Sequence, residues 1–264
     1  MKSNNLPIGI FDSGIGGTSI WKEIKALLPN ENTIYLSDSK NAPYGEKSAQ
    51  EIIDLSIKNT EFLLHQNCKL IVVACNTATT NAIKTLREKY TVPFIGIEPA
   101  IKPAALKTKT NIIGILATKG TLISELFEKT SSTIRNQIAI KETIGAGLVD
   151  LIESGEINSA EIKQLLTSYL KPMLEENVDC LVLGCTHYPY LIPQIREIIG
   201  DKMQIIDSGE AVARQTKAIL EKYNLLNIDL VNGTNQFYIN KIKDVLETIL
   251  PKENIYLKID EQDF

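Results

Sequence analysis

The sequence predicts an α/β protein in which two similar domains, each with a mainly parallel sheet, face a shared cleft. Short apolar runs alternate along the chain with amphipathic helical stretches, which is the pattern of βα units on a sheet covered on both faces. At 264 residues the chain is longer than a usual single domain, so two domains are expected. A short internal repeat points to the same organisation.

Apolar and β-branched runs at seven places are predicted as buried strands. They are Ile8 to Phe11, Ile34 to Leu36, Leu70 to Ala74, Pro93 to Ile97, Ile112 to Leu116, Cys180 to Leu183 and Gln204 to Ile206. Between the strands, apolar residues recur at helical spacing, as at Ile20, Ile24, Leu27 and Leu28 and again from Leu165 to Leu174. Each such stripe predicts a helix with one face on a sheet.

The two halves of the chain share a short pattern. Residues 8–14 resemble residues 113–119, and residues 70–77 resemble residues 180–187. The second match puts Cys75 and Cys185 each at the carboxyl end of a strand, where ligands bind in open α/β sheets. Because buried strands resemble one another, the residue pattern alone leaves chance as an equal explanation. A true repeat would make residues 1–97 with 207–264 the first domain and residues 98–206 the second.

Composition favours a small-molecule substrate over nucleic acid or membrane partners. The 28 basic and 32 acidic residues give a net charge of -4, which supplies no basic field for nucleic acid. The longest apolar run, from Leu70 to Cys75, has six residues, whereas a membrane helix needs about 20. The first residues lack a signal-peptide core, so a cytoplasmic location is expected.

The four cysteines show no C-x-x-C spacing and are expected to be free thiols. Polar, turn-forming residues follow Cys75 and Cys185 directly, whereas Cys68 and Cys180 lack them and are assigned to packing. A thiol near a helix N-terminus or a cation serves as a base, and its protonated form serves as an acid. Either cysteine alone would more often be a core residue. As a pair on opposite faces of one α-carbon, they would racemise an amino acid.

Histidine and glycine positions add to this picture. His187, two residues after Cys185, is placed to tune a thiol or to give a proton, whereas His65 falls on a helix as a surface histidine or one with satisfied hydrogen bonds. Residues 12–17, Asp-Ser-Gly-Ile-Gly-Gly, lie between a strand and a helix and predict a ligand loop. They are not the dinucleotide motif, since its third glycine would fall at Ser19, and no P-loop motif occurs. Asp12 either caps the turn or has a functional role, in which it holds a substrate ammonium or orients a thiol. Residues 43–45 are either a turn or a ligand loop.

Four motifs, in order, resemble those of the glutamate racemase family. They are residues 12–17, residues 43–48 (Pro-Tyr-Gly-Glu-Lys-Ser), residues 74–79 (Ala-Cys-Asn-Thr-Ala-Thr) and residues 183–189 (Leu-Gly-Cys-Thr-His-Tyr-Pro). The resemblance covers nearly the whole chain. It implies a two-domain α/β fold with a cleft active site, direct proton transfer between L- and D-glutamate without cofactor or metal, and supply of D-glutamate for bacterial peptidoglycan.

The resemblance also implies roles for individual residues. The catalytic residues would be Cys75 and Cys185 as acid and base, assisted by Asp12 and His187, with Glu153 as a further acidic residue near the site. The substrate would be lined by Asp12, Ser13, Tyr44, Gly45, Asn76, Thr77, Thr186 and His187. Residues 145–147 and 37–42 differ from the residues that are usual at these places in the family.

Two other functions share these features. A racemase for aspartate, for another small amino acid or for a hydantoin would use the same paired thiols. A non-enzymatic thiol sensor or metal-binding module would use Cys75, Cys185 and His187. The sequence leaves oligomeric state open, with a homodimer among the options.

Overall fold

A computed structural model describes residues 3–250 and 256–264. Its strands are β1 (Ile8–Asp12), β2 (Thr33–Ser37), β3 (Leu70–Val73), β4 (Phe94–Gly96), β5 (Ile112–Ala117), β6 (Ala139–Ile144), β7 (Cys180–Gly184), β8 (Gln204–Ile206), β9 (Asn235–Ile239) and β10 (Leu257–Glu261). Its α-helices are α1 (Thr18–Leu27), α2 (Ala49–His65), α3 (Asn76–Lys89), α4 (Ile101–Lys107), α5 (Lys119–Leu122), α6 (Glu125–Ser132), α7 (Leu148–Glu153), α8 (Ala160–Glu175), α9 (Ile192–Ile199), α10 (Gly209–Lys222) and α11 (Asp244–Ile249). Short 3₁₀ turns cover Ser3–Asn5, Ser39–Asn41, Tyr44–Glu46 and Tyr188–Leu191.

The strands form two parallel sheets, which confirms the predicted fold class. A six-stranded sheet has the order β10-β9-β2-β1-β3-β4, and a four-stranded sheet has the order β6-β5-β7-β8. All pairings in both sheets are parallel. Strands β1, β3 and β7 are buried along their whole length, as expected for central strands covered by helices on both faces.

The seven predicted strands are confirmed to within one residue at each end. The sequence pattern does not predict β6, β9 and β10, and the reason is their exposure. β6 and β10 are edge strands and carry mainly exposed or half-buried residues, so they lack an apolar run. β9 lies between β2 and β10 and alternates buried and half-buried positions, so it also lacks an uninterrupted apolar run. The proposed domain limits, at 97/98 and 206/207, stay a prediction.

The internal repeat is visible in the strand register. Gly9 of β1 pairs with the residue four positions before Cys75, and Gly114 of β5 pairs with the residue four positions before Cys185. In each half a long helix, α2 or α8, precedes the cysteine-bearing strand. The helix is followed by an asparagine in the left-handed region, Asn67 (φ 58°) after α2 and Asn177 (φ 59°) after α8. Both asparagines stand three residues before the strand begins, so the two sheets place their cysteines equivalently.

One apolar core joins the two sheets. It contains Trp21 and Val72 from the six-stranded side and Leu170 and Leu183 from the four-stranded side, each almost fully buried. Such a shared core fixes the carboxyl ends of β1, β3 and β7 relative to one another. Among the residues that the structure describes, no helix is both long and apolar enough to span a bilayer.

Candidate active site

Cys75 lies between the end of β3 and the start of α3, where it is the N-terminal cap of the helix. Its Sγ accepts the backbone N–H of Ala78 at 3.4 Å and is placed to donate to Ser13 Oγ at 3.6 Å. Burial raises the pKa of the Cys75 thiol well above its usual range, and the charge of Asp12 raises it further. The Ala78 amide acts in the opposite direction, since it favours the thiolate.

Cys185 follows β7 directly and is paired with a histidine. Its Sγ lies 3.7 Å from Nδ1 of His187, which is itself buried. A negative charge on Cys185 raises the pKa of Cys75, so the two thiols belong to one electrostatic site. Both cysteines are linked to the loop after β1: Cys75 contacts Ser13, and the Gly16 N–H is directed at the ring of His187, the partner of Cys185.

His187 also contacts Glu153, the last residue of α7. Nε2 of His187 and Oε1 of Glu153 are 2.6 Å apart, and both side chains are buried. Although burial lowers the pKa of His187, its hydrogen bonds to Cys185 and Glu153 outweigh burial and raise it well above 6.5. For Glu153, burial raises the pKa, but hydrogen bonds from His187, Ser39 and Ile15 bring it below 4.5. Both directions favour an imidazolium paired with a carboxylate, and the Gly16 N–H is also directed at Nε2, at 3.2 Å.

Asp12 is the last residue of β1. Its Oδ2 accepts the Gly17 N–H at 2.8 Å, and its Oδ1 accepts the Thr186 hydroxyl at 3.3 Å. Burial raises the pKa of Asp12 to about 6, while the charge of His187 lowers it. A carboxylate so enclosed gains from a nearby cation.

The glycine loop after β1 makes room for side chains from the other sheet. A Cβ built on Gly14 would lie 1.9 Å from Oε1 of Glu153, and one built on Gly16 would lie 2.3 Å from Nδ1 of His187. The Ile15 N–H donates to Glu153 Oε1 at 2.6 Å. The sequence predicts that these glycines admit a ligand to the backbone; the structure shows that they admit Glu153 and His187.

Tyr44 and Gly45 are buried in the 3₁₀ turn at Tyr44–Glu46. The Tyr44 hydroxyl is buried and donates to the carboxylate of Asp38, while the Asn59 amide donates to it at 3.1 Å. Gly45 packs against Thr118, because a Cβ at position 45 would lie 2.7 Å from the Thr118 Cβ. A cavity of about 120 Å³ opens beside this contact.

Asn76 and Thr77 begin α3 directly after Cys75. Both amide atoms of the Asn76 side chain are buried and find no hydrogen-bond partner within the part of the chain that the structure describes. Thr77 Oγ1 meets Thr118 Oγ1 at 2.8 Å and Thr121 Oγ1 at 3.2 Å. An unpartnered buried amide beside clustered hydroxyls is what a polar ligand would satisfy.

The remaining thiols and the second histidine lie elsewhere, as predicted. Cys68 and Cys180 are buried, and burial raises the pKa of their thiols to about 12 and about 11. All four cysteines are free. His65 is exposed at the end of α2. Within residues 3–250 and 256–264, no three His, Cys, Asp or Glu side chains are grouped as metal ligands would be.

Comparison with known proteins identifies the family. The model of the Asp/Glu/hydantoin racemase family matches residues 8–216. The chain belongs to this racemase family. The glutamate racemase of Ralstonia pickettii strain 12J is 50% identical over 208 residues, which are 79% of this chain and 74% of that protein.

Solved racemase structures share the whole fold. Glutamate racemase isoform RacE1 of Bacillus anthracis superposes with a TM-score of 0.86 at 31% identity, covering 97% of this chain and 98% of that one. Glutamate racemase of Francisella tularensis in complex with D-glutamate superposes with a TM-score of 0.83 at 30% identity, again covering 97% and 98%.

Some residues that contact the candidate site are not predicted from the sequence. Thr118 and Thr121 meet Thr77 across the cleft, and Ser39 donates to Glu153 Oε2 at 2.7 Å. Thr118 stands where the repeat aligns it with Ser13, so the repeat contained a signal for it. Ser39 has no such signal, because its contact depends on how the two sheets pack.

Proposed function

We propose that the protein interconverts L-glutamate and D-glutamate by proton transfer at the α-carbon between Cys75 and Cys185, without a cofactor. One observation carries the proposal: two buried thiols follow equivalent strands, and both are linked to the loop after β1, Cys75 by its contact with Ser13 and Cys185 through His187. Racemisation needs a base on one face of the α-carbon and an acid on the other. The glutamate racemases among the relatives and solved structures support glutamate as the substrate.

In the proposed reaction, one cysteine acts as thiolate and the other as thiol. The thiolate takes the α-proton and forms its S–H bond, which leaves a carbanion conjugated with the α-carboxylate. The opposite thiol then gives its proton to the other face, so the two cysteines exchange protonation states in each turnover. The His187 imidazolium stabilises a thiolate at Cys185, and the Ala78 N–H stabilises one at Cys75.

Substrate binding would itself activate Cys75. The charge of Asp12 raises the Cys75 pKa, and we propose that the substrate ammonium binds Asp12 and cancels that effect. The carboxylates would bind the unpartnered Asn76 amide and the hydroxyls of Ser13, Thr77 and Thr186, with Tyr44 and Gly45 closing the rim. Glu153 would act through His187, whose proton it holds in place.

The test follows glutamate in D₂O with dialysed protein and no added cofactor. Each enantiomer should lose optical purity and gain α-deuterium. Cys75→Ser and Cys185→Ser should each lower the racemisation rate by about 10²–10⁴-fold, because each removes one acid–base group. Cys180→Ser is the matched control, since Cys180 is a buried thiol at the start of β7, the strand that ends directly before Cys185. This variant should keep the parent rate. Full turnover in both site variants, or a requirement for pyridoxal phosphate, would refute the mechanism.

The other functions that the sequence allows gain no support. The relatives named above are glutamate racemases rather than enzymes for aspartate or a hydantoin. A substrate panel with aspartate and a hydantoin checks this directly. We further propose that the product serves peptidoglycan synthesis in the cytoplasm, which rests on the family; a homodimer and the two domain limits also stay proposals.

A further inference from the structure

A buried serine connects the six-stranded side of the cleft to the proton-handling pair on the other side. Ser39 lies in the 3₁₀ turn that follows β2, and Glu153 ends α7. The Ser39 hydroxyl donates to Oε2 of Glu153 at 2.7 Å, and Ser39 is 3% exposed. No sequence motif or resemblance assigned this serine a role.

The two oxygens of the Glu153 carboxylate have different partners. Oε1 accepts the Ile15 N–H at 2.6 Å and lies 2.6 Å from His187 Nε2. Oε2 receives the Ser39 hydroxyl, the one hydrogen bond to that oxygen among the described residues. A buried carboxylate oxygen left without a donor is destabilised, and the carboxyl then holds a proton more readily.

The position of the proton between Glu153 and His187 determines whether Cys185 faces a charged or a neutral imidazole ring. If Glu153 stays ionised, Nε2 keeps its proton and Nδ1–H points at the Cys185 sulfur. If Glu153 takes the proton, Nε2 becomes an acceptor, and the Gly16 N–H, 3.2 Å away, is already directed at it. The pair therefore has an alternative hydrogen-bonding state in which the ring is neutral.

Other titratable groups face this pair, and their charges enter the same balance. They are Asp12, whose charge interacts with both His187 and Glu153, Cys185, which contacts His187, and Tyr35, which interacts with Glu153. Ser39 differs from them in being a neutral donor. Its removal changes the Glu153 proton affinity without removing a charge from the site.

We propose that Ser39 is a positioning residue: its hydroxyl holds the Glu153 carboxylate ionised against His187, and so keeps the imidazolium beside Cys185. The proposal rests on the proposed racemase function and extends it to a residue that acts through Glu153 and His187. Ser37 Oγ lies 3.0 Å from Ser39 Oγ. Since the Ser39 proton is directed at Glu153, Ser37 is the donor to Ser39, which makes Ser37 the outer member of the chain.

The protein offers a direct spectroscopic test, because it contains two histidines. In protein labelled with ¹⁵N-histidine, the ring-nitrogen shifts report the protonation state of each ring, and a His65→Gln variant assigns the signals. We expect His187 to be doubly protonated at pH 7 in the parent and to titrate at lower pH in Ser39→Ala. Ser39→Thr keeps a hydroxyl and should restore the parent titration.

Turnover should follow the same order. Losing a hydrogen bond to a charged group predicts a fall in kcat/KM of about 10–100-fold for Ser39→Ala, with partial or full rescue in Ser39→Thr. The fall must be equal for both enantiomers, since racemisation has an equilibrium constant of one. Ser56→Ala is the matched control, because Ser56 is equally buried but bonds the Ile52 carbonyl in α2; it should leave the His187 titration and kcat/KM unchanged.

The outcomes separate this proposal from the racemase function. A parent that racemises glutamate while Ser39→Ala keeps the parent His187 titration would overturn the role of Ser39 alone. A parent that does not racemise glutamate would overturn the function, while the His187 signals still report the hydrogen bond. If Ser39→Ala does not fold, Ser37→Ala decides: a smaller shift in the same direction supports the chain, and an unchanged His187 titration overturns it.

Discussion

Asp12 shows how a single residue in this site trades stability for function. Its carboxylate is fully buried and accepts hydrogen bonds from the Gly17 N–H and the Thr186 hydroxyl, with the Cys75 thiol as a further partner. Burial accounts for most of the rise in its pKa, from 3.8 to about 6. Keeping this charge at neutral pH destabilises the empty site, and a bound ammonium would relieve that cost.

Asp12→Asn should therefore stabilise the empty protein at neutral pH. Below pH 3.8 the parent Asp12 is protonated in both the folded and unfolded states and has no penalty. Between pH 3.8 and about 6 the folded state binds more protons, so the parent's free energy of unfolding falls as the pH rises. The difference between variant and parent should grow across that window and level off at about 3 kcal/mol above it.

Urea unfolding of both proteins at several pH values between 4 and 7.5 measures this difference. Asparagine keeps an oxygen for the Gly17 N–H, and its amide faces Thr186, whose hydroxyl then accepts. Turnover should fall in the same variant, because the ammonium loses its carboxylate. A difference that shrinks with rising pH would contradict the burial argument.

At the scale of elements, the loop after β1 is shaped by what enters it from the other sheet. Gly16 stands against the His187 ring, so an added Cβ must displace either the loop or the ring. Gly200, at the end of α9, is the opposite case: its φ is 57° and no atom lies within 4 Å of a Cβ there. The two glycines are required for different reasons, one for space and one for backbone conformation.

Gly16→Ala and Gly200→Ala should separate activity from stability. Gly16→Ala moves His187 from Cys185 and should lower kcat by at least about 10²-fold, the contribution of one positioned acid–base partner. Gly200→Ala places a side chain in a glycine-only backbone region, which costs about 1–3 kcal/mol, and should keep kcat. Initial rates and thermal melts of both variants provide the comparison. Equal loss of activity in the two would mean that Gly16 acts through general stability.

The strands show which parts of the fold can be predicted from the sequence. Central strands such as β3 and β7 are predictable because burial on both faces demands an uninterrupted apolar run. The cysteines after them are predictable because residues at the carboxyl ends of parallel strands meet at one edge. β6 and β10 lack that signal, since their side chains are mainly exposed or half-buried and form no apolar run.

Contacts between the sheets are the part that local pattern cannot predict. The Ser39 hydroxyl reaches Glu153, 114 positions along the chain. The Thr18 hydroxyl meets the Tyr190 hydroxyl at 2.5 Å across 172 positions. Each pairing depends on the angle between the sheets, which the shared core sets and no short motif encodes. Residue identity at these positions becomes interpretable once the packing is known.

At the scale of the whole molecule, the two sheets should unfold as one unit despite their separate hydrogen-bonding. Their apolar core is continuous, and the site is built from both: Asp12 and Cys75 come from one side, Glu153 and His187 from the other. Separating the sheets would expose that core and break the buried ion pair, so a half-folded state is unfavourable.

Two optical probes test this cooperativity. Trp21, the single tryptophan, is fully buried against Phe237 with ring centroids 4.9 Å apart, so its fluorescence reports the six-stranded side. Far-UV circular dichroism reports helices from both sides. In guanidinium chloride the two transitions should have one midpoint, as cooperative unfolding requires. A Trp21 transition separate from the dichroism change would show that the sheets unfold independently.

Glutamate gives the same experiment a functional readout. A ligand bound between the sheets stabilises only the state in which both are folded, by about 2.7 kcal/mol at a hundredfold excess over its dissociation constant. Both midpoints should then rise together in L- or D-glutamate. They should stay in place with the matched dicarboxylate glutarate, which lacks the ammonium for Asp12. If glutamate moved one midpoint and left the other, its site would lie within a single half, and the two cysteines would not share one substrate.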